Sequence, residues 1–198
     1  DPRSITDLDQ WKLYLDKILY PDHKLMPQHR RWIGYTLKFA VISLLQHTAG
    51  REERFLAPLF AYYRRPEKLE DAVAFQLLDA AAALPDTVYT HRHTALLLRF
   101  AETLSAREDV QVRTAAVLLL DRLHRLMPQS SGPVRALERM DCTGSTTLRL
   151  LREDVLQSGA PITLPDDAVS EIFLDNLKTA TPWITKQANI RLLTDFAR

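Results

Sequence analysis

Few residue sets in this chain combine the types and spacings that chemistry requires. Cys142 stands in the run Asp141-Cys142-Thr143-Gly144, between two helical patterns, where a thiol would be presented on a short loop. A thiolate nucleophile needs a base or cation beside it. The nearest histidine in sequence, His124, falls in another helical segment. His91 and His93 lie two apart, which on a helix places them on different faces, and no H-E-x-x-H or paired-cysteine motif accompanies them. Neither G-x-G-x-x-G nor G-x-x-x-x-G-K-[ST] occurs. Catalytic, cofactor and metal sets are therefore all expected to be empty, and a small-molecule substrate has no support. Carboxylates are abundant but scattered among basic residues, as on solvated helix faces.

Binding chemistry is better represented. His29, Arg30, Arg31 and Trp32 open a long helical pattern, with Lys24 just upstream, and Tyr62, Tyr63, Arg64 and Arg65 close another. Arginine beside an aromatic ring can grip a phosphate backbone or anchor a protein hot spot. A plainer physical reading exists for each cluster. Cations are favoured at a helix carboxyl end, where Arg64 and Arg65 fall, and a tryptophan such as Trp32 is at home in a core. The candidate partner-binding residues are Arg30, Arg31, Trp32, Tyr62, Tyr63, Arg64 and Arg65.

The elements that would position these residues are helices. The 198 residues are 46% hydrophobic and 26% charged, which suits a folded chain with a substantial core and argues against disorder. Prolines stand beside expected helix starts and ends, and the five glycines fall mostly where a helix should stop. A capping pair at Thr6 and Asp9 opens a helix to Leu19. Pro27 starts a second, ending near Gly50, in which Trp32, Tyr35, Leu37, Phe39, Ile42 and Leu45 recur at helical rather than alternating period. Residues 51–64 form a third, with a kink or break expected at Pro58. A fourth opens at Pro66 and closes before Pro85. Residues 87–104 and 109–127 make the fifth and sixth, 133–140 and 145–158 two shorter ones. Pro165 starts a helix to Thr179, with Asp166 and Asp167 at its favourable amino end, and Thr181 and Pro182 start the last. No period-two run of β-branched residues and no hairpin dipeptide appears, so the expectation is all-α, with about 9–10 helices. Residues 1–198 are expected to form one all-helical domain with a softer boundary at 128–144. The opening at Asp1 and the stop at Arg198 read as a segment excised from a longer protein.

Charge and cysteine content bound the setting. Formal net charge is +1, from 26 basic and 25 acidic residues, so a strongly basic nucleic-acid binder is not indicated. The lone Cys142 permits no intrachain disulfide and suits a reducing, intracellular compartment, nuclear or cytoplasmic. No apolar run approaches the roughly 18 residues of a membrane span, so no membrane partner is expected.

The stretch 109–126, DVQVRTAAVLLLDRLHRL, resembles the second helix of a HEAT or armadillo-type repeat. It has an acid at Asp109, Val112-Arg113 after it, the small Ala116 one turn on, and then Leu120 and Leu123. His91-Arg92, Ala95 and Arg99 echo its basic-then-small spacing, and Ile184, Ala188 and Leu192 its hydrophobic-small-hydrophobic spacing, although position 185 is Thr where the repeat has Arg. The resemblance implies a right-handed α-solenoid of antiparallel helix pairs, in which Asp109 and Arg113 form the ladder between repeats. A compact irregular helical bundle is the alternative. What the resemblance implies for function is a non-enzymatic scaffold, taking a peptide or helix of a protein partner in a groove within a larger assembly. The second reading is a nucleic-acid-binding module of a chromosome maintenance or DNA-repair factor. That reading requires Lys24, Arg30, Arg31, Arg64 and Arg65 to share a face.

Overall fold

The computed structural model describes residues 7–20, 37–46, 52–157 and 163–196, and its regular structure there is entirely helical, without a strand. The helices in chain order are α1 (Leu8–Leu19), α2 (residues 37–46), α3 (Glu52–Tyr63), α4 (Asp71–Ala82) and α5 (His91–Leu104). They continue with α6 (Val110–Leu126), α7 (Gly132–Arg139), α8 (Thr146–Leu156), α9 (Asp166–Leu177) and α10 (Trp183–Phe196). Short polar side chains start several of them by satisfying backbone donors that have no partner within the helix. The Asp7 carboxylate accepts from the N–H of Asp9 (3.1 Å), Asp109 from Val112 (2.9 Å) and the Ser145 hydroxyl oxygen from Leu148 (3.2 Å). Gly144, with φ at 80°, supplies the left-handed turn that leads into the Ser145 cap.

Three local expectations change. Pro58 does not break α3, which runs through it from Glu52 to Tyr63; Phe55, Leu56, Leu59 and Phe60 on either side are buried, and that packing outweighs the lost backbone bond. Pro66 opens a single 3-10 turn (Pro66–Lys68) rather than a helix to Pro85, and α4 begins only at Asp71. Likewise Asp86–Val88 is a separate 3-10 turn before α5.

The chain forms two compact units, residues 1–100 and 101–198, and their division falls inside α5 rather than at 128–144. Within the second unit, the end of the 128–144 segment is bonded to α6 and α8. Arg113 donates to the carbonyl of Asp141, and Arg152 donates to that of Met140 at 3.0 Å.

In the first unit α1 packs on α3. Trp11, 1% exposed, donates its indole N–H to the Phe55 carbonyl at 2.7 Å, with Leu15 and Leu19 buried one and two turns further on. Lys38 on α2 and Asp79 on α4 form a partly buried ion pair at 3.3 Å.

In the second unit α6 packs against α7, α8 and α10, while α9 packs on α8 and α10. Val112, Ala116, Leu120 and Leu123 are fully buried, so the apolar stripe of α6 is its inner face. Leu150, Leu164, Ala168, Ile172 and Leu192 make a core where α8, α9 and α10 meet. Two polar ties cross it. Thr147 donates to the amide oxygen of the fully buried Asn189 at 2.6 Å, and Asn189 donates on to Asn176 at 3.2 Å. Arg191 reaches Asp121 on α6 at 2.7 Å and Asp154 on α8 at 2.6 Å.

Candidate functional site: an apolar helix face and an arginine groove

The candidates legible in the sequence divide three ways. Lys24, Arg30, Arg31 and Trp32 lie outside the described residues. Tyr63 is not a surface anchor. It is 1% exposed, donates its hydroxyl to the Leu77 carbonyl at 2.9 Å, and packs edge-on against Phe100 at 4.8 Å between ring centroids. Burial raises its pKa well above the phenol value, keeping it a neutral donor. Its neighbours in sequence do face outward. Arg64 and Arg65 are exposed, and half-buried Tyr62 donates its hydroxyl to the Asp16 carboxylate beside the tilted ring of Tyr20. Burial, followed by that bond, raises the pKa of Tyr62 as well.

The α6 pair Asp109 and Arg113 both have engaged side chains, though these are not paired with each other. Asp109 caps its own helix. Arg113, nearly buried, donates to the carbonyls of Asp141 and Glu108 (the latter at 3.2 Å) and stands 3.7 Å from the Asp141 carboxylate. Hydrogen bonds from the Thr143 hydroxyl and N–H, with Arg113 adding to them, hold Asp141 below the usual carboxylate range. Arg113 thus staples the start of α6 to the loop that precedes α8.

Cys142 in that loop is half-buried, with its thiol 3.8 Å from the Met140 carbonyl. Burial pushes its pKa up despite Arg152 and Arg113 nearby, so at neutral pH the sulfur is a thiol and a poor nucleophile. His93 stacks on Phe60 at 4.2 Å between centroids, and its Nδ1 lies 2.8 Å from the Val88 carbonyl. Among the described residues no three His, Cys, Asp or Glu side chains gather as a metal-binding group.

Two surfaces in the second unit were not legible in the sequence. The first is the outer face of α9. A helix at the edge of a core normally shows water its polar side. Here Ala168 and Ile172 already supply the buried stripe, yet Phe173, Leu174 and Leu177 are 56%, 57% and 67% exposed. At 100° per residue these three fall together on the side opposite Ile172. Every charged residue of α9 is acidic: Asp166, Asp167, Glu171 and Asp175. Its packing neighbour α10 follows the same pattern, burying Ile184, Ala188 and Leu192 while exposing Trp183 and Ile190 at 55% and 54%.

The second surface is an open groove of about 720 Å³ bounded by the end of α5, the loop after it, α7 and Asp141. Arg135 and Arg139, one turn apart on α7, are exposed, and their side chains have no ion-pair or hydrogen-bond partner among the described residues. Glu102 and Glu108 line it from the α5 side. Their signal in the sequence is only an i,i+4 pair of arginines on a short helix, with nothing to say what stands opposite.

No helix among the described residues is long and apolar enough to cross a membrane. Comparison with known proteins found no matching family model, curated protein or solved structure.

Proposed function

We propose that this chain is a non-enzymatic protein-binding module whose docking face is the outer side of α9. The observation that carries the reading is that α9 is apolar on two opposite faces, of which the helices around it cover only one. Phe173, Leu174 and Leu177 follow the spacing by which one helix presents anchors to another, and aromatic and leucine side chains of this kind supply most of the energy in helix docking. The acids of α9 point to the occupant, a basic amphipathic helix of a protein partner, whose cations would answer Asp166, Asp167 and Glu171 around the apolar stripe. An acidic rim works against nucleic acid at the same face. The nucleic-acid reading has no comparable support, since three of the five basic residues it needs lie outside the described residues.

The architecture proposed for residues 101–198 is the compact bundle. A stacked array in the HEAT manner would set α6, α8 and α10 side by side in successive layers, and α6 does meet α8, as α8 meets α10. The additional packing of α10 on α6, across a full layer, favours a closed arrangement over an open rod.

Replacing Leu174 and Leu177 together by Ser tests the docking face without touching the core. Loss of one hot spot costs at least about 2 kcal/mol, so partner capture is expected to fall more than about thirtyfold. Capture should persist after nuclease treatment and in an Arg64→Glu, Arg65→Glu variant. Equal capture by the Leu174→Ser, Leu177→Ser protein overturns the reading.

A further inference from the structure

We infer that the groove beside α7 is a binding site for a phosphomonoester, held by Arg135 and Arg139 acting as a two-armed fork. Two guanidinium groups at i,i+4 on one helix face repel each other, an arrangement that persists here with neither in an ion pair among the described residues, although Glu102, Glu108 and Asp141 line the same groove. The other two arginines of the groove differ. Arg113 is committed to the Asp141 loop, and Arg107 is engaged in an interaction of its own. The free valence of the site is therefore the α7 pair, with ten N–H donors on two planar guanidinium groups of the kind that pair bidentately with phosphate oxygens. A volume of about 720 Å³ admits a phosphorylated small molecule or a single phosphorylated side chain.

Glu102 and Glu108 determine what else the ligand carries. They line the same groove, and neither forms an ion pair with Arg135 or Arg139 among the described residues. A carboxylate pair opposite the phosphate repels a second anionic group and welcomes a cation or hydrogen-bond donor. The site therefore selects a lone phosphate with a donor-bearing remainder over a polyanion such as nucleic acid. This inference is independent of the docking face on α9, because none of its residues belongs to that helix.

Titration of the full chain with inorganic phosphate, O-phosphoethanolamine and a single-stranded DNA oligonucleotide, followed by NMR of the arginine Nε–Hε signals, tests it. Saturable shifts at Arg135 and Arg139 are expected with phosphate. O-phosphoethanolamine, whose ammonium answers the acids and which carries no second anion, should bind more tightly, and DNA more weakly per phosphate. The Arg135→Gln, Arg139→Gln variant should lose about tenfold or more in affinity for both phosphate probes. Glu102→Gln with Glu108→Gln should narrow the preference for O-phosphoethanolamine over DNA while leaving phosphate itself bound. Shifts that fail to saturate, or that are matched at Arg149 (which pairs with Glu153), overturn the proposal, as does preferential binding of DNA. Arg135 and Arg139 are exposed, so circular dichroism of the variant should be unchanged, and a lost fold is distinguishable from a lost site.

Discussion

Replacing Arg191 by Met is expected to destabilise the protein by about 3 kcal/mol, because it strands a charge rather than removing a contact. Asp121 and Asp154 have side chains only 8% and 7% exposed, on two different helices, and Arg191 reaches both at 2.7 and 2.6 Å. Burial alone works against the guanidinium charge, yet the two carboxylates outweigh it and hold the Arg191 pKa above its ordinary value. Without Arg191, Asp121 keeps Arg125 at 2.9 Å, but Asp154 has lost the cation that compensates its burial. Removing one member of a buried ion pair costs about 3–5 kcal/mol, and the lower end applies because Arg191 itself is 31% open to water. A lowering of Tm by about 8 °C follows for a chain of this size. Adding Asp121→Asn and Asp154→Asn to Arg191→Met should restore most of the loss, since the stranded charge is then gone. A single variant within about 0.5 kcal/mol of wild type in urea unfolding would mean that the three charges are solvated and do not tie α6, α8 and α10.

The other large effect lies in the first unit. Trp11→Ala is expected to cost about 4 kcal/mol, the sum of a large cavity and a deserted acceptor. The indole is 1% exposed and donates to the Phe55 carbonyl at 2.7 Å. The twelve residues of α1 are too few to hold a helix alone in water, so its stability comes from the face that Trp11, Leu15 and Leu19 turn toward the core. Trp11→Phe keeps most of the ring but leaves the carbonyl unanswered, and should cost about 2 kcal/mol. Hydrogen exchange gives the sharper measurement. In Trp11→Ala the amides of α1 should exchange at rates near those of free peptide while α6 stays protected. Loss of protection in both together would place Trp11 in a single cooperative core instead.

Much of this helical frame could be read from residue order, because its punctuation is local. Asp109 and Ser145 cap the helices they were expected to start, and Val112, Ala116, Leu120 and Leu123 face inward as their spacing required. Local signals mislead where tertiary packing decides. Pro58 stays within a helix because buried neighbours hold it there. Tyr63 looks like its neighbours Tyr62 and Arg64 in a basic-aromatic cluster, yet one helical step places it in the core. The surfaces proposed to bind were the least legible. In Asp166–Leu177 the apolar residues satisfy a helical pattern whichever side is buried, and only α8 and α10, packed on Ile172, leave Phe173, Leu174 and Leu177 outside. The arginine groove joins segments more than twenty residues apart, a distance over which periodicity carries no information.

The claim on which the functional account rests is that α9 receives a basic helix on Phe173, Leu174 and Leu177. Its most direct test is a photo-cross-linking residue placed at position 177, with exposed position 111 on α6 as the control. A cross-link from position 177 into a basic, amphipathic segment of one protein is expected, and none from position 111. Adducts formed equally from both positions, or from position 177 only to nucleic acid or to an acidic segment, would contradict it.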